Sequence, residues 1–251
     1  MASFDLEFYA KSLGRRVHVL LEIPSLDLGK TLRNENAQYY QQRNDKFPLL
    51  ICLHGFGDNK EAWVRNTSIT RLANTYGFAS AFVEAENGWY RNLGPLRGYE
   101  DFLEIDLLDF LYGNFSNLSA EAPLAIMGVS MGGYGALCHY LKYPGKYKAA
   151  IALSPAIASD IPEEEGQSLK ELFLTSKVPH RIYLSIGDKD FILPQSKEFD
   201  AWLKENVPDV SYRYIPNKDH SWPTWDEQLP RIVYFLQSIG FIGELPTRYK
   251  R

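Results

Sequence analysis

Leu124-Ala-Ile-Met127 leads into Gly128-Val-Ser130-Met-Gly132-Gly133, and Tyr134-Gly-Ala-Leu-Cys-His-Tyr-Leu141 leads out of it. The first piece is a short, continuous apolar run, as expected of a strand covered on both faces. The last reads as a helix. Between them a serine stands on a sharp turn, and glycine two residues to either side supplies the room that such a strained backbone needs. A Gly-x-Ser-x-Gly match alone is weak, since it arises by chance in roughly one chain in ten of this size. The strand before it and the helix after it make it specific, and Ser130 is the candidate nucleophile.

The same grammar extends in both directions. Upstream, Pro48-Leu-Leu-Ile-Cys-Leu53 is another continuous apolar run and ends abruptly at His54-Gly-Phe-Gly57. Residues 16–23 read as an early strand, and the polar stretch 25–46 as an exposed hairpin connection. A helix is expected over 68–76, a strand over 79–83, a helix over 99–111 and a strand over 122–127. Downstream of the helix that follows Ser130 and runs to residue 143, strands are expected over 149–153, 181–186 and 211–215. Helices are expected over 197–206 and 224–239, with a looser acidic stretch over 159–167. Strands alternating with helices predict a mostly parallel central sheet flanked by helices. At 251 residues the whole chain, 1–251, is expected to be a single α/β domain.

Composition narrows the classes of function. Apolar residues at 45% and charged residues at 23% are those of a globular chain, which excludes a disordered or fibrous architecture. A net charge of -4 with dispersed Lys and Arg offers no basic stripe for a phosphate backbone, so nucleic acid is excluded as a partner. The first ten residues hold no basic region followed by an apolar one, and no segment reaches membrane-spanning length. The expectation is a cytoplasmic protein without a membrane partner. Cys52 and Cys138 lie in apolar elements and read as buried thiols; no metal or redox motif uses them.

A serine hydroxyl needs a base, and a neutral imidazole titrates in the right range. Of the five histidines, His18 lies mid-strand, His139 lies two turns down the helix from Ser130, and His180 precedes a strand. His54 and His220 occupy loops. Where a nucleophile sits on such an elbow, its partners follow in the order Ser, then Asp or Glu, then His, and His220 downstream of the last strand satisfies that order. The acid then belongs after the strand at 181–186, where Asp188 and Asp190 both stand. Asp190, further into the loop, is favoured to orient the imidazole, with Asp188 capping the turn. Asp219, adjacent to the histidine, reads as a loop carboxylate. Oxyanion donors are expected from the backbone amides of Met131, just after the nucleophile, and Phe56, in the loop after the third strand. His54 then shapes that loop.

Taken together, His54-Gly-Phe-Gly57 with Asp58, Asn59 and Trp63, then Asn87-Gly-Trp-Tyr90, Gly128-Val-Ser-Met-Gly-Gly-Tyr-Gly135, Gly187-Asp-Lys-Asp-Phe191 and His220-Ser-Trp222 with Trp225 resemble the esterase D family over nearly the whole chain. Within that family the chain is most similar to bacterial tributyrin esterase-like and feruloyl esterase-like members. The resemblance implies an α/β-hydrolase fold, a Ser130, Asp190 and His220 triad, no metal, no cofactor, and assembly into homo-oligomers. It departs from the commoner pattern at Asn217-Lys-Asp219, where a glycine often precedes the histidine, and in the long polar stretch over 34–45.

Trp89, Tyr90 and Trp222, with Trp225, fall in segments expected near the mouth of the site and are candidates to flank an acyl or aryl group. The segment 155–176 is too short for a large lid, so the site should be open and suited to short acyl chains. The function expected is a serine carboxylesterase acting on small-molecule short-chain or aryl esters, including feruloyl or acetyl-sugar esters. The alternatives are an S-formylglutathione hydrolase, a sugar acyltransferase and a non-catalytic binding module on the same fold.

Overall fold

A computed structural model describes residues 1–32, 46–157, 168–177 and 179–243. Its strands are β1 (Ala2–Ala10), β2 (Arg15–Ile23), β3 (Leu49–Leu53), β4 (Ala79–Val83), β5 (Leu124–Val129), β6 (Ala149–Leu153), β7 (Ile182–Gly187) and β8 (Arg213–Ile215). They form one eight-stranded sheet in the order β1-β2-β4-β3-β5-β6-β7-β8. β2 runs antiparallel to β1 and to β4, and from β4 to β8 every neighbouring pair is parallel.

The helices are α1 (Leu28–Leu32), α2 (Ala62–Asn66), α3 (Ile69–Tyr76), α4 (Tyr99–Asp101), α5 (Leu107–Asn114), α6 (Met131–Lys142), α7 (Leu169–Thr175), α8 (Leu193–Asn206), α9 (Trp222–Asp226) and α10 (Leu229–Ser238). A π turn, Phe102–Asp106, joins α4 to α5. Among the described residues no helix is long and apolar enough to cross a membrane.

The continuous apolar runs are explained by cover on both faces of the sheet. Side chains alternate along a strand, so Leu49, Ile51 and Leu53 of β3 enter one core cluster while Leu50 and Cys52 enter the other. The first cluster is closed by Leu107 and Leu111 of α5, Leu137 of α6 and Phe199 and Leu203 of α8. Ile69 and Leu72 of α3 and Ile232, Val233 and Leu236 of α10 close the second. Both cysteines are free thiols, and burial pushes that of Cys138 up to about 12.

Several expectations differ from the structure; the helix expected over 99–111 is α4 and α5 with the π turn between them, and it runs on to Asn114. The chain opens with β1, which the sequence reading left out, paired to β2 from Ala2↔Ile23 to Ala10↔Arg15. The stretch after β2 is not a hairpin connection, because β4 lies between β2 and β3; it contributes α1, and its residues 33–45 fall outside the described ones. The helix expected over 224–239 is two helices, α9 and α10. Pro230 has no N–H to offer the carbonyl of Asp226 and its ring would collide with it, so one helix stops and the next starts with proline in its first turn. The helix expected from 197 begins earlier, at Leu193. The acidic stretch 159–167 lies outside the described residues, as does part of the segment expected to be too short for a lid.

One close approach sets the geometry at the carboxyl ends of the strands. A Cβ on Gly132 would lie 2.5 Å from the carbonyl oxygen of Leu53 and 2.6 Å from that of His54. Backbone atoms cannot swing aside, so Gly132→Ala is expected to cost about 3 kcal/mol by denaturant unfolding. Gly113→Ala, in open space on α5, is expected to stabilise by about 0.5–1 kcal/mol in the same measurement.

Candidate active site

Ser130 stands between β5 and α6 with φ 54° and ψ -117°, a conformation rarely adopted by a residue with a side chain. Three backbone hydrogen bonds hold it there: Ser130 N to Leu153 O at 3.0 Å, and Tyr134 N and Ala156 N to Ser130 O, both at 3.1 Å. The flanking glycines are required, since a Cβ on Gly128 would sit 2.1 Å from the carbonyl oxygen of Gly132. Ser130 occupies the N-cap position of α6, but its hydroxyl makes no capping bond. Met131 begins that helix, so its amide belongs to the first turn, whose N–H groups have no partner inside the helix.

His220 and Asp190 come together from loops at the edge of the sheet. Nδ1 of His220 lies 2.9 Å from each carboxylate oxygen of Asp190, whose side chain is fully buried. An ionised carboxylate only accepts, so Nδ1 carries the proton and Nε2 keeps its lone pair. The ring is packed by Phe191, at 4.7 Å between centroids, and by Trp225, edge-on at 5.1 Å. Asp188 does a different job: its Oδ1 accepts the Asn217 N–H at 2.7 Å and ties the two loops together. Gly187 lets them meet, since a Cβ there would strike the carbonyl of Lys218 at 2.1 Å. Asp219 bonds Ser221 and Thr224 beside α9 and stays away from the imidazole.

Ser130 and His220 line one cavity of about 500 Å³ together with Gly55, Phe56, Asp58, Asn66, Trp222 and Trp225. No hydrogen bond joins Ser130 to His220 among the described residues; such bonds are commonly loose before a substrate enters. The loop after β3 forms the facing wall. Its Gly57 N–H is taken by Asn87 Oδ1 at 2.7 Å, and a Cβ on Gly55 would lie 3.4 Å from the Ser130 Cβ. Asp58 and Asn66 were not singled out as site residues from sequence. Asp58 stood within the family motif, yet only the fold shows its Oδ2 accepting the indole N–H of Trp222 at 3.2 Å.

Of the aromatic candidates, Trp222 lines the cavity and Trp89 and Tyr90 do not. Tyr90 is 1% exposed and donates its hydroxyl to the carbonyl of His54 at 3.0 Å, so it supports the loop from behind and cannot touch substrate. Trp89 packs edge-on against Tyr134 at 5.7 Å. Sequence also gave no warning of the buried cluster beneath α6. There Nδ1 of His139 meets Glu104 Oε1 at 2.5 Å, and Lys146 and Tyr147 reach the same carboxylate. Burial alone would raise the Glu104 carboxyl; the bonds from His139, Lys146 and Tyr147 hold it below the usual carboxylate range. The remaining histidines are engaged elsewhere or point to solvent: His180 pairs with Asp209 at 3.1 Å, and His18 is exposed on β2.

A mostly parallel eight-stranded sheet with a strained serine on the turn from β5 to α6, and with the loops after β7 and β8 gathered beside it, defines an α/β hydrolase. The family described as "Putative esterase" matches residues 28–236, and the chain belongs to it. The molecule is a carboxylic ester hydrolase. It is similar to an acetyl esterase of Caldicellulosiruptor saccharolyticus, 24% identical over 96% of this chain and 100% of the relative. Among solved structures it is similar to an S-formylglutathione hydrolase of Staphylococcus aureus (TM-score 0.76, 21% identity, 94% of this chain and 98% of that one). A ferulic acid esterase superposes with TM-score 0.73 at 17% identity, over 95% of this chain and 98% of that one.

The two loop carboxylates provide a direct test of the geometry. Asp190→Asn is expected to lower kcat by about 10³- to 10⁴-fold, because the amide stabilises the wrong imidazole tautomer. Asp188→Asn, which touches only the neighbouring loop, is expected to change kcat by less than about tenfold.

Proposed function

We propose that this chain is a serine carboxylesterase for short-chain acyl or aryl esters, with Ser130 as nucleophile, His220 as general base and Asp190 orienting the base. In acylation the Ser130 Oγ attacks the ester carbonyl while His220 Nε2 takes its proton. The amides of Met131 and Phe56 receive the charge that develops on the carbonyl oxygen. His220 then returns the proton to the leaving alcohol, and an acyl-serine remains. Water, deprotonated by the same nitrogen, attacks the acyl group, the carboxylic acid leaves, and Ser130 regains its proton.

The observation that carries this reading is the shared cavity: serine and imidazole open onto one recess walled by Phe56, Trp222, Pro223 and Trp225. Aromatic walls around a few polar groups suit a small acyl or aryl substituent. The acetyl esterase and ferulic acid esterase names among the similar proteins support the same substrate range.

S-Formylglutathione hydrolase is the rival reading, favoured by the name of a similar structure. Glutathione is an anionic tripeptide, whereas the cavity lining among the described residues holds no Lys or Arg, and the nearby Arg65 is paired with the Asp58 carboxylate at 3.5 Å. Charge therefore favours neutral esters. The wider reading takes residues 1–251 as one α/β-hydrolase domain acting without metal or cofactor.

Turnover of p-nitrophenyl acetate, butyrate, octanoate and palmitate, with methyl ferulate and S-formylglutathione alongside, tests the proposal. Rates are expected to peak at acetate or butyrate, with Ser130→Ala reducing kcat by roughly 10⁴- to 10⁶-fold. A preference for palmitate or for the glutathione thioester would contradict the assignment.

A further inference from the structure

Two buried side chains with no part in proton transfer, His54 and Tyr90, are joined by hydrogen bonds that end beside Ser130. The His54 ring is 1% exposed, and its Nδ1 lies 2.7 Å from the carbonyl oxygen of the next residue, Gly55. A carbonyl has no proton to give, so Nδ1 is the donor. On the other side of the ring Nε2 faces the Ala85 N–H at 3.2 Å and a Glu84 carboxylate oxygen at 3.3 Å. Because the Ala85 N–H donates to Nε2, that nitrogen is the acceptor and Nδ1 carries the proton given to Gly55.

The consequence lies in the plane of one peptide. The Gly55–Phe56 bond is trans, and in a planar trans peptide the N–H points opposite to the C=O. The Gly55 carbonyl accepts from the buried imidazole and from the Asp58 N–H at 3.2 Å, so the Phe56 N–H points away from both donors, and Gly55 and Phe56 line the cavity with Ser130. The preceding peptide is fixed as well, because the Tyr90 hydroxyl donates to the His54 carbonyl at 3.0 Å. Tyr90 is itself anchored. Its backbone is left-handed at φ 59°, and its carbonyl accepts from His139 Nε2 at 2.8 Å, with Glu104 on the far nitrogen of that ring.

We propose that His54 and Tyr90 are positioning residues that aim the Phe56 amide at the developing oxyanion, an inference that rests on the reading of Phe56 as an oxyanion donor given above. Neither touches the substrate. Their effect falls on charge that exists only in the tetrahedral species, so it should appear in kcat and leave KM nearly unchanged.

The test compares His54→Leu, His54→Asn and Tyr90→Phe with the unaltered enzyme. Three quantities are measured: hydrolysis of p-nitrophenyl butyrate, inhibition by an alkyl trifluoromethyl ketone, and thermal unfolding. The ketone reports the oxyanion directly: Ser130 Oγ bonds to its carbonyl carbon, the carbonyl π pair becomes an oxyanion, and the serine proton passes to His220. His54→Leu is expected to lower kcat by about 10²-fold and to weaken the ketone in proportion, with KM within about threefold. His54→Asn, whose amide NH₂ stands near the place of Nδ1–H, should recover most of that loss. Tyr90→Phe removes a single oxygen, leaves the buried His54 carbonyl without its donor, and is expected to cost about 3- to 10-fold in both kcat and ketone affinity, with the folded state retained and Tm lowered by only about 2–8 °C.

A Tyr90→Phe enzyme that binds the ketone as tightly as the unaltered one overturns the proposal even if His54→Leu fails to fold. So does a fall in kcat without a matching fall in ketone affinity. Those results, obtained alongside Ser130-dependent turnover in the unaltered enzyme, would leave the esterase reading standing. Absence of Ser130-dependent turnover would overturn both.

Discussion

The contact between Gly132 and the carbonyls of Leu53 and His54 governs the rest of the site. It brings the first turn of α6 against the end of β3, two segments nearly eighty positions apart in the chain. At that distance Ser130 and the loop after β3 come to line one cavity, with Met131 the first residue of α6 beside them. The strain at Ser130, of order 1–3 kcal/mol, is tolerated because three backbone hydrogen bonds and the buried faces of β5 and α6 over-determine that turn.

A second close contact does the same work for the imidazole. Gly187 lets the end of β7 lie against the loop at Lys218, and the two carboxylates that follow divide the labour. Asp188 fastens one loop to the other through the Asn217 amide; Asp190, without solvent access, fixes the His220 ring. The aromatic packing from Phe191 and Trp225 then limits the ring's freedom to rotate. Each half of the site therefore depends on a glycine that brings two backbones together, with side chains added afterwards.

Much of this was legible in the sequence because burial on both faces leaves a signature. β3, β5 and β6 are uninterrupted apolar runs and β7 is broken only by Ser185, and the structure places each in the doubly covered part of the sheet. β1 alternates Phe4, Leu6 and Phe8 with Asp5 and Glu7, a period-two pattern that marks a half-exposed edge strand, and its charged face concealed it. Which strand neighbours which is a property of the sheet and not of any segment, so the path from β2 to β3 was misread. For the same reason sequence does not separate Tyr90 from Trp222: residue type records that a ring is apolar, and only packing decides on which side of a loop it lies. The bond from Trp222 to Asp58 and the Glu104–His139 cluster are not legible in the sequence because the partners come from remote segments.

The strand order carries one further consequence, for the making of the protein. Apart from the exchange of β3 and β4, the sheet is arranged in the order in which its strands leave the ribosome, ending at β8 on one edge. Ser130 and the loop after β3 are therefore synthesised well before the turn that bears His220. A nascent chain halted ahead of β8 carries Ser130 without His220, and the cavity that the two residues share is complete only when the last edge of the sheet closes.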